Sequence, residues 1–179
     1  MKPVKVILKR QIYELAYTVG AAIGIQDEFG GCDTMIAAID NANSALRVDA
    51  VCRAAAIMIE QGELVRRYMG HQPQPILSRF DIASRATEEE MITLRMAIPV
   101  AISAGIHREL ENEPAEIDLG LQELNEEKGD HFAPAYFYRM GAVNGLTKKE
   151  TLLSTPGELL DLWSLYAKAH GIRQNTDMD

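Results

Sequence analysis

Over residues 4–31 the apolar residues change period, and no other feature of the chain limits its fold as strongly. Val4, Val6 and Leu8 alternate with Lys5 and Ile7, the two-residue period of a half-buried strand. Ile12, Leu15 and Tyr17 supply the facing apolar set across a polar Lys9-Arg10-Gln11 turn, which lacks the Asn-Gly or Asp-Gly of a strong hairpin signal. From Thr18 the spacing becomes helical. Val19, Ala22, Ile23 and Phe29 fall on one side, Thr18 is placed to cap, and Gly30-Gly31 suits a left-handed stop. A strand pair that runs directly into an amphipathic helix predicts an α+β beginning.

The remaining patterns are helical. Asp33 is placed to cap a short helix over residues 33–41 with Met35, Ile36 and Ile39 apolar, and Asn41-Ala42-Asn43-Ser44 reads as a turn. A long helix over residues 46–61 carries Val48, Val51, Cys52, Ala55, Met58 and Ile59 on one stripe. Residues 62–69 extend the pattern, with Arg66 and Arg67 pointing outward. Pro73 and Pro75 then impose extended backbone. Thr87 with Glu90 makes a capping box for a helix reaching Ile106. Its inner face is Met91, Leu94, Ile98, Ala101, Ile102 and Gly105, yet Met96, Val100 and Ile106 are apolar as well. A helix apolar all round belongs in a core or in a contact with another copy. Later, residues 134–144 form a short helix with Pro134 near its start, Thr147 and Glu150 make a second capping box, and Thr155 and Glu158 a third, with Pro156 at the first helical position.

Residues 109–130 differ in kind. They hold nine acids and one base among the chain's 26 acids and 18 bases, so the whole net charge of −8 lies there. Such a segment reads as a solvated linker. The expected fold class is therefore mainly α (α+β). A short N-terminal β-hairpin packs on a helical bundle (residues 1–108), followed by the acidic linker (109–131), a small helical C-terminal module (132–171) and a frayed tail (172–179). The charge argues against avid nucleic-acid binding. The longest apolar run, residues 91–106, is too short to span a bilayer and contains Arg95 and Pro99. Met-Lys-Pro-Val opens no long apolar targeting core, so a soluble cytosolic protein is expected, with Cys32 and Cys52 as small buried thiols.

A search for chemistry finds no constellation that supports an enzyme. His71, His107, His131 and His170 lack the i,i+4 spacing or neighbouring carboxylates and thiols that zinc requires. No serine lies in a nucleophile elbow. Gly20 and Gly24 fall inside a helical pattern, without the strand-turn context of phosphate binding. Glu88, Glu89 and Glu90 belong to a helix first turn, where the macrodipole favours them. The helix-turn-helix spacing of residues 147–166 offers Glu158, Asp161 and leucines where base readout needs Arg, Lys, Asn or Gln. The expectation is no catalysis, no cofactor, no metal, no nucleic acid and no membrane.

The order of parts resembles the tail assembly chaperones of long-tailed bacteriophages. The resemblance rests on KVILKRQIYELAYT as a strand pair, on the helix ending IGIQDEFGG, on DTMIAAI and the alanine-rich long helix, and on YRMGAVNGLTKKETLLSTPGELLDLWSLYAKA as a short second module. It covers most of the chain apart from the acidic linker, through patterns of apolar positions and caps. It implies a chaperone that binds the tape measure protein, keeps it soluble and helps recruit tail-tube subunits. It also implies self-association, residence in the cytoplasm of the bacterial host, and absence from the mature virion. The chain would then be the long form of a frameshifted pair or a natural fusion. The alternative is a structural tail or head-tail connector protein retained in the virion. Leu159, Leu162, Trp163 and Tyr166 form one side of the last helix. That side is either a partner-binding face with aromatic anchors or the lid of a small core against Tyr136, Phe137 and Met140.

Overall fold

The computed structural model describes residues 3–110 and 133–171; the acidic linker beyond Leu110 and the tail 172–179 lie outside the described residues. The protein is mainly α-helical, with a two-stranded N-terminal hairpin packed against the helices. In order, the elements are β1 (Val4–Leu8), β2 (Gln11–Leu15), α1 (Val19–Phe29), α2 (Cys32–Ile39), α3 (Ser44–Tyr68), α4 (Arg79–Arg85), α5 (Glu88–Ile106), α6 (Pro134–Val143), α7 (Lys148–Leu153) and α8 (Pro156–Ala169).

The hairpin turns in two residues, not three. Lys9 and Arg10 both have positive φ, 47° and 66°, and Leu8 pairs with Gln11. Positive φ at both central positions is the requirement of a primed hairpin turn. The register then sets Ile12 opposite Ile7 and Tyr13 opposite Val6. Shifting a strand by one residue exchanges its faces. Ile12 is consequently exposed, contrary to its expected place in the facing apolar set, and Tyr13 joins Val6, Leu8 and Leu15 in the core. The strained turn is anchored by Glu90, whose Oε1 accepts from Lys9 N at 2.7 Å while Oε2 accepts from Thr87 N at 2.8 Å. One carboxylate thus completes the capping box of α5 and fixes the hairpin tip.

Thr18 caps α1 through Ala21 N, and Gly30 ends it at φ 81°. Helix α2 starts at Cys32 on a Gly31 cap, so Asp33 lies in its first turn and is not its cap. Helix α3 runs unbroken from Asn43, its cap, through Gly62. There the hairpin crosses it so closely that a Cβ on Gly62 would overlap the Glu14 carbonyl oxygen. The approach is secured by Ala16 N donating to Met58 O at 3.2 Å. The main core gathers Val6, Leu8, Tyr13, Leu15, Ile25, Met35, Met58 and Ile59 with Leu94 and Ile98 of α5. Val48, placed on the α3 stripe by its spacing, remains 41% exposed.

Beyond α3 the chain is tied back by a buried carboxylate. Glu63, 4% exposed, accepts from Arg67 Nε at 2.8 Å, Arg66 Nε at 3.2 Å and Gln74 N at 2.6 Å. Burial alone would raise its pKa; the Gln74 amide and the two guanidiniums overcome that and hold it below the usual glutamate value. Arg66 and Arg67 were expected to point outward; Arg67 is exposed, Arg66 is half-buried, and both also bind Glu63 and reach the carbonyls of Gln72 and Gln74. This directs Leu77 into the core and delivers α4, a helix with no expectation in the pattern reading. A Ser78–Asp81 capping box starts it, and Ile82 is buried.

The three helices after the linker pack on the N-terminal unit. Phe137, Met140 and Leu159 form a second buried cluster with Val19 of α1. Val19 N donates to Ser154 O at 2.9 Å, and Arg108 Nε meets Asp161 Oδ1 at 2.9 Å. Asp161 Oδ2 also accepts from Glu109 N and Leu110 N, so α8 holds the chain as it leaves α5. The small module thus shares its core with α1. Both of its expected capping boxes, Thr147–Glu150 and Thr155–Glu158, are formed.

Candidate functional site

The four residues singled out on the last helix do not form one surface. Leu159 is fully buried in the second cluster, and Leu162 and Trp163 are half-buried against it beside Tyr136. Tyr166 lies further out, between Trp163 (ring centroids 5.8 Å apart, interplanar angle 25°) and His170 (4.0 Å, 25°). The helix turns its first two apolar positions into a core and leaves an aromatic ladder at its edge, next to exposed Leu165. The small-core arrangement therefore accounts for Leu159 in full and for Leu162 and Trp163 in part, and all three of Leu162, Trp163 and Tyr166 also reach the surface.

A second feature is the outer face of α5. Leu94, Ala97, Ile98, Ala101 and Gly105 are buried on one side of this helix. On the opposite side Ile92, Met96, Val100 and Ile106 are each more than half exposed, with exposed Pro99 and Ser103 among them. At helical spacing these six positions make one continuous stripe. Pro99 lies on this exposed side of the helix. At roughly 100 Å² for each large side chain, the stripe shows about 400 Å² of apolar surface, the size of the largest patch on an ordinary monomer, which is often a functional one. Ile7 and Ile12 add a cross-strand pair of exposed isoleucines on the outer face of the hairpin.

The third feature is a groove of about 310 Å³ where α7 meets α1 and α3. Gly20 of α1, Gln61, Leu64 and Tyr68 of α3, and Leu152 and Leu153 of α7 form its walls, with the exposed side chains of Arg67 and Lys149 at the rim. Its polar groups are fixed by their neighbours. Thr18 Oγ1 accepts from Ala21 N and donates to Gln61 Oε1 at 3.0 Å, which orients the Gln61 amide. Tyr68 donates its phenolic proton to Glu150 Oε1 at 2.7 Å, and Glu150 Oε2 accepts from Thr147 Oγ1 and Thr147 N. The Thr147 and Tyr68 hydroxyls and the Thr147 amide together hold the Glu150 carboxyl down at about 2. The same carboxylate raises the Tyr68 phenol above its usual value. Lys149 Nζ stands 5.6 Å from the centroid of the Tyr68 ring.

Among the described residues there is no group of three His, Cys, Asp or Glu side chains that could hold a metal ion, and no helix long and apolar enough to cross a membrane. The groove had no counterpart in the sequence reading, because it exists only where the second module meets the first. The α5 stripe was visible as apolar residues opposite the expected inner face, of which Leu94, Ile98, Ala101 and Gly105 are buried, although the spacing left open whether that stripe meets a core, another copy or water. Comparison of the chain with protein-family models, with curated proteins and with solved structures finds no match.

Proposed function

We propose that the chain is a tail assembly chaperone of a long-tailed bacteriophage, binding the apolar helices of a tape measure protein before tail-tube subunits cover them. The observation that carries this reading is the doubly apolar α5, one side buried in the core and the other presenting Ile92, Met96, Val100 and Ile106 to solvent. A protein that must coat and later release an apolar helix needs such a stripe on a rigid support, and a methionine at its centre adapts to irregular partners. Burying about 400 Å² at about 25 cal/mol per Å² offers on the order of 10 kcal/mol before the costs of association, enough for reversible binding. The sequence resemblance to such chaperones supports the same reading, as do the hairpin and helices in the order that it implies.

Co-expression with the tape measure protein tests it. Wild-type chaperone should move that protein from the insoluble to the soluble fraction. A Met96→Glu, Val100→Glu double variant, folded by circular dichroism, should not. An unchanged soluble fraction with the wild type ends the proposal. Detection of the chain by mass spectrometry in purified particles would replace it with the structural connector role.

A further inference from the structure

The groove between α3 and α7 has a chemical bias set by which of its polar groups are already used. Both Glu150 oxygens are occupied by Thr147 and Tyr68, and the Tyr68 proton is committed to Glu150. Gln61 Oε1 is taken by Thr18. Among the described residues the charged side chains that line the groove are both cationic, Arg67 and Lys149, the latter with its ammonium resting on the Tyr68 ring, and the Gln61 side-chain NH₂ is a further donor. At the rim Arg67 shares the single carboxylate of Glu63 with Arg66, so that cluster keeps one net positive charge. Between the donors the lining is leucine. The groove is open along one side, so it could not enclose most of a small molecule's surface as ligand cavities do. Its volume suits one or two side chains projecting from a chain that lies across it.

We infer that this groove is a docking site for an acidic amphipathic peptide segment of a partner protein. An apolar side chain of that segment lodges against Leu64, Leu152 and Leu153, and a neighbouring carboxylate is held by Lys149 Nζ and the Gln61 amide. The occupant would touch α3 and α7 together, so binding would also strengthen the seating of the C-terminal helices. The site is separate from the α5 stripe and stands on its own donors, whatever the chain's client is.

The test uses the full chain and a panel of fluorescein-labelled 12-residue peptides. Each carries one leucine and one glutamate, at spacings from one to four residues, and each has a twin with glutamine in place of the glutamate. Anisotropy titration should give saturable binding for at least one glutamate peptide, at least tenfold weaker binding for its twin, and a shifted Gln61 side-chain amide signal by NMR. Lys149→Glu, an exposed change, should weaken binding at least tenfold. Gly20→Leu should abolish it, by filling the groove and by pushing the Gln61 amide from the position in which Thr18 holds it. Met96→Glu should leave it unchanged. No saturable binding by any peptide, equal binding by the glutamine twins, or binding indifferent to both groove variants would each overturn the assignment.

Discussion

Gly62→Ala isolates the contact on which the hairpin's position depends. In an isolated helix, alanine is favoured over glycine by about 1 kcal/mol, so propensity alone predicts stabilisation in the middle of α3. The packing predicts the opposite. A Cβ at Gly62 would overlap the Glu14 carbonyl oxygen, lie 2.8 Å from the Glu14 carbonyl carbon and 3.3 Å from its Cβ. Two of these are backbone atoms of β2, which no rotamer change can move. To make room, β2 must lift from α3, lengthening the 3.2 Å bond from Ala16 N to Met58 O and loosening Leu15, which is fully buried beneath it. Overpacking costs about 1–3 kcal/mol in well-filled cores, and a strained backbone contact belongs at the upper end. Net of the propensity gain, Gly62→Ala should destabilise by about 2 kcal/mol, a fall in Tm of roughly 4–8 °C for a chain of this length. Gly20→Ala in α1 is the comparison, because its Cβ meets the side-chain end of Gln61 at 2.5 Å, which can shift but gives up its bond from Thr18 in doing so. The propensity gain and the lost bond are each about 1 kcal/mol, so stability should stay near that of the wild type. Urea titration followed by circular dichroism compares the two. Equal stability of Gly62→Ala and wild type would refute the crossing geometry.

Glu63→Gln keeps the shape but removes the charge from a carboxylate bound by two guanidiniums and an amide, and should cost about 2 kcal/mol at neutral pH. Because folding lowers the pKa of Glu63, its contribution is present above the unfolded-state value and is lost as pH falls through the folded one. Stability measured by urea titration from pH 7 downward should therefore decline less steeply in the variant. Replacing Lys9-Arg10 by Asn-Gly, which accept positive φ without strain, should stabilise by about 1 kcal/mol, read as a rise in Tm. Trp163→Ala, at a half-buried position in the second cluster, should cost about 2 kcal/mol and diminish the near-ultraviolet circular dichroism; unchanged stability would mark the ring as surface only.

Local chemistry made much of the fold legible. Thr18, Thr87, Thr147 and Thr155 each occupy the N-cap that their spacing indicated, and three of them close capping boxes with Glu90, Glu150 and Glu158. Such signals survive because the interaction spans three residues and needs no tertiary partner. Helix α4 escaped because its box uses Asp81, where glutamate or glutamine is the usual reciprocal residue, and because one buried residue, Ile82, gives no periodicity. Of the apolar set expected to face β1, Leu15 and Tyr17 are buried, and Ile12 alone was misassigned, for a different reason. Polar Gln11 reads naturally as a turn residue, and nothing local signals that Lys9 and Arg10 both accept positive φ. Their turn is fixed from a distance of 81 residues, by Glu90.

The same dependence on distant partners explains why the candidate sites were hard to read. Helix α5 has apolar side chains all round, and although the spacing identified its inner face, it left open what the opposite side meets. The inward orientation is held at Gly105, where the hairpin's end at Tyr17 approaches so closely that any side chain would collide. That contact turns Leu94, Ile98 and Ala101 inward and, by the geometry of a helix, turns Ile92, Met96 and Ile106 out. The groove depends likewise on α7 being held against α1 through Val19 N and Ser154 O. The two surfaces thus differ in what would erase them. Substituting Gly105 should disturb the α5 stripe through the hairpin, whereas loosening the bond at Ser154 should open the groove and leave the stripe in place.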